Sequence, residues 1–144
     1  MSSTSLNLSV LVLAVATFTG SVAASQADWP LHGRTHDEQR FSPLDQINLD
    51  TVDELGLAWK FATGNTRGME ATPIVIDGAM YISTAWSRVM ALNATTGELI
   101  WHYDPMVPGE KGRDACCDVV NRGVAVSGEQ VFLGALDGRL IALN

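Results

Sequence analysis

Downstream of residue 73, short runs of alternating apolar and polar residues recur, separated by turn-forming pairs. Ile74–Ile76, Met80–Ser83, Val89–Leu92 and Leu99–Tyr103 are rich in β-branched and aromatic residues with a period of two, the signature of half-buried strands. Asp77-Gly78 separates the first two runs and predicts a tight hairpin. The pattern then repeats. Arg88-Val89-Met90-Ala91-Leu92-Asn93 returns as Arg139-Leu140-Ile141-Ala142-Leu143-Asn144, an offset of 139 − 88 = 51. At that offset Tyr81-Ile82 falls on Phe132-Leu133, Val75 on Val126, and Asp77-Gly78 on Gly128-Glu129, a turn on a turn. Four short strands in about 50 residues make one blade of a β-propeller. A β-sandwich is the rival architecture, but sandwiches do not usually repeat in sequence. The pattern stops at Asn144, inside the third strand of the second unit. Two blades cannot close a ring that typically takes about four to eight, and terminal edges would stay unpaired. The expected fold is therefore all-β, the first two blades or so of a larger propeller.

Upstream, residues 1–27 read as a secretion leader. The apolar stretch from Val10 to Phe18 is too short for a membrane span. Val22-Ala23-Ala24 and Ser25-Gln26-Ala27 both offer small-residue cleavage sites, although the amino terminus supplies the only positive charge ahead of them. Export to an oxidising compartment is the consequence, and a disulfide persists there. Residues 28–144 are then the propeller portion. Trp29 to Asn48 is loop-like. A short helix is predicted next, capped by Asn48, with Asp50, Asp53 and Glu54 in its first turns and Gly56 at its end. Leu57–Ala62 reads as a strand. His32 and His36 have the spacing of a helical metal pair, but Pro30 and Gly33 argue against a helix and for ordinary loop histidines. Asn93-Ala94-Thr95 matches a glycosylation acceptor, yet it also makes a good turn. Trp29, Trp59 and Trp101 are expected in the blade core; Trp86, next to a turn, fits that role least well.

Charge narrows the class of partner. Nine Lys and Arg stand against 16 Asp and Glu, a net of −7, and none of these charges precedes Asp28. Such a surface repels phosphate backbones, so no nucleic-acid partner is expected. At 47% hydrophobic the chain is not disordered by composition.

The chemistry concentrates at Cys116-Cys117. No CxxC pair accompanies them, which argues against structural zinc, and there is no CxxCH haem attachment. Adjacent Cα atoms lie about 3.8 Å apart, below the roughly 4.4 Å minimum of ordinary disulfides. A bond between them would close a strained small ring; the other possibility is a pair of reduced, buried thiols. Export favours the former, and the pattern alone leaves both open. The 51-residue offset places Arg122 on Ala71 and Asn121 on Glu70, each just before the first strand of its unit. In a propeller those strands line the central channel. Glu70, Cys116, Cys117 and Arg122 would then meet in one axial pocket suited to a planar polyanion, with Arg122 gripping a carboxylate. A plain surface ion pair between Glu70 and Arg122 is the alternative.

Gly112-Arg113-Asp114-Ala115-Cys116-Cys117-Asp118-Val119-Val120-Asn121-Arg122-Gly123 resembles the vicinal-cysteine segment of the quinoprotein alcohol dehydrogenases, which depend on pyrroloquinoline quinone (PQQ). Thr66-Arg67-Gly68-Met69-Glu70-Ala71-Thr72-Pro73 resembles that family's approach to the first blade. Trp29-Pro30-Leu31-His32-Gly33-Arg34 and Arg40-Phe41-Ser42-Pro43-Leu44 resemble its amino-terminal signature. Ala91 to Trp101 is similar to its tryptophan docking motif, with Asn93 where Asp is commoner. The resemblance runs from Trp29 to Asn144. It implies a propeller of eight four-stranded blades, the last completed by Leu57–Ala62. It implies that Glu70 hydrogen-bonds PQQ, that Cys116 and Cys117 form a disulfide stacked on its face, and that Arg122 contacts its carboxylate. It also implies oxidation of an alcohol to an aldehyde in the periplasm. A calcium ion polarises the quinone, an aspartate takes the proton, hydride passes to PQQ, and electrons leave to cytochrome c or a similar acceptor. The calcium ligands and that aspartate are expected beyond Asn144, so no catalytic or metal-binding residue is expected in this chain, and the chain alone should be inactive. The short spacing between Trp101 and Cys116 looks more like the quinohaemoprotein ethanol-type enzymes than the methanol-type ones, and this resemblance implies a haem c in a further C-terminal domain. Two other functions fit less well. One is a non-catalytic propeller scaffold; the other is a quinoprotein sugar dehydrogenase, against which the leader and the adjacent cysteines count.

Overall fold

The computed structural model describes residues 25–144, so the apolar run read as part of a secretion leader lies outside the described residues. Four strands, β1 (Ile74–Ile76), β2 (Ala79–Ser83), β3 (Val89–Asn93) and β4 (Leu99–Tyr103), form one antiparallel sheet in chain order. Three more, β5 (Ala125–Ser127), β6 (Gln130–Gly134) and β7 (Leu140–Leu143), form a second. Subtracting 51 from the bounds of β5, β6 and β7 gives 74–76, 79–83 and 89–92. The sequence repeat is therefore a repeat of structure, strand for strand.

The turns repeat with one change. Asp77 and Gly78 both have positive φ (49° and 76°), which a two-residue type I′ hairpin requires. In the second unit only Gly128 is positive (φ 58°), as in type II′, where glycine stands first. Moving the glycine one place changes the turn and keeps the register: Ile76 faces Ala79, and Ser127 faces Gln130. The β3–β4 ladder contains a bulge that the pattern did not predict. Ala91 pairs with Trp101 and Leu92 with Leu99, so Ile100 has no partner across the sheet.

The two sheets pack against each other through Val89, Val131 and Leu133, all essentially buried. Tyr81, Trp101, Val126, Ile141 and Leu143 close over this cluster. In β6 the alternation is clean, with Val131 and Leu133 inward and Gln130 and Gly134 exposed. Each fully buried Val or Leu contributes about 1.5–3 kcal/mol.

The amino-terminal segment departs from expectation in two places. The predicted helix is a single 3-10 turn, Val52–Glu54, and its N-cap position is Thr51. Asn48 instead closes the loop ahead of it, its carbonyl accepting from the Thr51 and Val52 N–H groups. Leu57–Ala62 forms no strand, because among the described residues no strand pairs with it and an extended segment becomes a strand only in a ladder. It is held by Trp59, whose indole N–H donates to the Ala94 carbonyl (3.1 Å) and whose ring lies on Gly97 so closely that any side chain there would overlap it. Asn93 shapes that turn, its side-chain oxygen accepting from the Thr95 and Thr96 N–H groups at 2.9 Å each. Trp29 pairs with Val75, which lengthens the β1 edge by one bridge.

Replacing Leu133 by Ala should cost the full-length protein about 3 kcal/mol in denaturant unfolding, the usual result of emptying a closed core site. A smaller charge effect sits in the β6–β7 turn. Arg139 hydrogen-bonds the Asp137 carboxylate and holds that carboxyl below the usual carboxylate range. The resulting stabilisation is present above the unfolded carboxyl's pKa of about 3.9 and is lost as pH falls through the lower folded value. Asp137→Asn should therefore lower Tm at neutral pH, and scans at decreasing pH should show the difference closing only below that range.

Candidate functional site

Antiparallel order fixes which loops share an end. The β1–β2 and β3–β4 turns lie at one end of the first sheet. The segment entering β1, the β2–β3 connection and the long β4–β5 connection lie at the other. All four residues singled out above occupy that second end.

The segments around residues 67–72 and 118–123 run side by side in the same direction. Arg67 pairs with Asp118 at 2.6 Å, and Arg122 with Glu70 at 3.3 Å. Between these pairs a Cβ on Gly68 would stand 3.7 Å from Val120, and beyond them one on Gly123 would stand 3.6 Å from the Thr72 carbonyl. Arg67 and Asp118 are 51 residues apart, so they hold the same place in consecutive units. Opposite charges at equivalent positions tie one blade to the next. The Arg67–Asp118 pair went unnoticed in the sequence, although the offset that aligned Arg122 with Ala71 also aligns these two.

Cys116 and Cys117 are joined as a disulfide with a Cα separation of 3.8 Å. Both residues are exposed. Asp118, immediately after them, has φ 67° and pairs back to Cys116 through an isolated bridge. Arg122 is 73% exposed and Glu70 46%. Among the described residues Glu70 is the one ionic partner of Arg122, and most of its guanidinium faces solvent. The surface ion pair considered as the alternative is thus present. A pair this exposed contributes about 0–1 kcal/mol to stability at most, so folding does not explain its placement.

The β2–β3 connection supports the same segment. Trp86 and Ser87 both have left-handed backbones (φ 63° and 57°), a conformation that costs a non-glycine residue about 1–2 kcal/mol. The Trp86 N–H donates to the Val119 carbonyl at 2.8 Å. The Trp86 ring covers Gly112 and is half-buried, so this tryptophan belongs to the loop and not to the blade core. The buried Ser87 hydroxyl accepts from the Leu136 N–H (3.0 Å) and from the Asn121 side-chain amide (3.3 Å). That amide also donates to the Gly134 carbonyl at 2.9 Å. On the amino-terminal side His32 contacts the Thr72 hydroxyl at 2.8 Å and Arg40 at 2.7 Å, so it braces the approach to β1. A cleft of about 410 Å³ at this end, lined by Trp86, Arg88, Asp104, Met106 and Pro108 among others, includes none of the four site residues.

Consecutive antiparallel blades, joined at one end by loops that carry a vicinal disulfide and a cation, form part of a propeller. The chain belongs to the family described as PQQ, glucose/ethanol/alcohol dehydrogenase, beta-propeller domain, which matches residues 29–144. It is 49% identical to the quinohemoprotein alcohol dehydrogenase ADH IIB of Pseudomonas putida, over 96% of this chain and 22% of that protein. It is 51% identical to the 1-butanol dehydrogenase (cytochrome c) of Thauera butanivorans, over 96% of this chain and 19% of that one. The crystal structure of the quinohemoprotein alcohol dehydrogenase from Comamonas testosteroni superposes with a TM-score of 0.79 at 52% identity, covering 84% of this chain and 18% of that one. The chain thus spans about a fifth of the length of the curated relatives it matches. The β-propeller fold and the likeness to quinohemoprotein alcohol dehydrogenases agree with the sequence-based expectation.

The state of the cysteines is directly checkable. In peptide mapping of the full-length protein, the peptide carrying Cys116 and Cys117 should take up an alkylating reagent only after reduction. Alkylation before reduction would show free thiols and remove the disulfide from the site.

Proposed function

We propose that the protein carrying this chain oxidises alcohols to aldehydes in the periplasm, with PQQ as redox cofactor and a cytochrome c as electron acceptor. The observation that carries the proposal is an exposed Cys116–Cys117 disulfide in the same β4–β5 connection as Arg122, which pairs with Glu70. The donor set fits such a group. A disulfide between neighbours is short and polarisable, and it offers a flat apolar face to a planar ring. Arg122 presents a planar fork of donors for a carboxylate. Glu70 balances that cation before an anion arrives and can accept a hydrogen bond afterwards. When bound, PQQ supplies the quinone that receives the hydride equivalent from the alcohol. This chain's residues bind and orient, and the proton acceptor is proposed to lie outside it.

Further parts rest on other support. The leader read in residues 1–27 supports export to the periplasm. Similarity to the 1-butanol dehydrogenase (cytochrome c) of Thauera butanivorans supports cytochrome c as acceptor, and similarity to quinohemoprotein alcohol dehydrogenases supports a haem group elsewhere in the protein. Calcium is proposed as the metal, with ligands outside residues 25–144. The proposed role of Leu57–Ala62 is to complete the last blade, which would supply the ladder partner it lacks here.

Titration of the full-length apoprotein with PQQ, followed by assay with a primary alcohol and an artificial electron acceptor, tests the proposal. Binding and turnover are expected. Arg122→Ala should raise the Kd for PQQ about tenfold or more, the loss of a charge-assisted hydrogen bond. Replacing both cysteines by Ala should lower turnover by about 100-fold, the cost of a misplaced reactant. A protein that neither binds PQQ nor oxidises alcohols would contradict the proposal, and a protein partner bound equally well without the cysteines would favour a scaffold. Residues 1–144 alone should show no turnover.

A further inference from the structure

The two units provide an internal comparison at the β2–β3 connection. The offset of 51 places Gly138 on Ser87, and both have left-handed backbones, with φ 89° and 57°. The connection is closed by the same backbone bond in each unit, although Trp86 is also left-handed and its counterpart Asp137 is not. Thr84 N–H donates to the Arg88 carbonyl at 2.8 Å, and its counterpart Ala135 N–H donates to the Arg139 carbonyl at 2.8 Å. The second unit therefore fills this position with the residue that adopts the conformation without strain, while the first fills it with serine and bears the strain. Strain of this kind persists where the surroundings over-determine it, and it marks functional sites.

What the first unit gains is a hydroxyl. Ser87 is fully buried, and its oxygen receives the Leu136 N–H and the Asn121 amide, both from the second unit. The other end of the Asn121 side chain accepts from the Gly123 N–H at 3.1 Å. Asn121 and Gly123 flank Arg122. Two residues earlier in the segment, Val119 is held by the N–H of Trp86, the other strained residue. The strained pair thus grips the stretch between the disulfide and Arg122 from the neighbouring blade.

We infer that Ser87 is a positioning residue: through Asn121 it fixes the stretch that carries Arg122, and so presets the cofactor-facing end of the blade pair. This rests on the function proposed above. Ser87→Gly is the direct test, because glycine accepts the left-handed backbone without strain while the variant loses the hydroxymethyl side chain and its two accepted hydrogen bonds. In the apo form of the full-length protein, amide hydrogen exchange over residues 118–123 should quicken about tenfold, the scale of one lost net hydrogen bond. In PQQ titration Ser87→Gly and Asn121→Ala should each raise Kd about tenfold, and the double variant should be little worse than either, because both break one linkage. Unchanged exchange over 118–123 in a folded Ser87→Gly protein would overturn the inference whether or not PQQ binds. So would a wild-type Kd in that variant, or effects of the two substitutions that simply add. A wild-type protein that fails to bind PQQ would instead contradict the proposed function, and the exchange experiment would still decide the role of Ser87.

Discussion

A three- or four-stranded sheet of strands three to five residues long has little core of its own, so each must cover a face with its neighbour. Here that contact is the packing of Val89 on β3 against Val131 and Leu133 on β6. Everything at the axial end depends on it. Blade stacking sets the equivalent loops of consecutive units side by side, so that residues 51 apart can touch, as Arg67 and Asp118 do. No local propensity would bring those two together. The repeat supplies the same geometry twice, and the stacking adds the small displacement that turns two copies of a loop into one composite site.

The site illustrates how a scaffold and its chemistry separate. Apolar residues at period-two spacing build the blades, and the polar residues of the candidate site sit where one strand hands over to the next. Their polar groups are divided by burial. Ser87 and Asn121 spend their hydrogen bonds inside the protein, where an unmade bond is costly. Arg122, Glu70 and the disulfide face outward and are left available.

Much of this was legible in the sequence because the signal repeats. Val75 on Val126 and Tyr81-Ile82 on Phe132-Leu133 fixed both strand phase and register, since one error would have flipped a whole face. The candidate site was picked out for a related reason: Cys116-Cys117, Glu70 and Arg122 stand ahead of the first strands of their units. What escaped has physical causes. Leu57–Ala62 has strand composition, but strand formation depends on a partner that the local sequence does not contain. The bulge at Ile100 leaves the alternation almost untouched. The left-handed backbone of Trp86 and Ser87 runs against the preferences of both residues, and only tertiary hydrogen bonds to Val119, Asn121 and Leu136 hold it. Comparing Ser87 with Gly138 at the known offset was the clue that could have exposed it.

The most direct measurement is an experimental structure of the full-length protein with PQQ added. The expected result is a planar density lying against the Cys116–Cys117 sulphurs, with a carboxylate at the Arg122 guanidinium and Glu70 at its edge. Density for PQQ elsewhere, or an unbonded cysteine pair with Arg122 engaged only by protein, would contradict the assignment of this site.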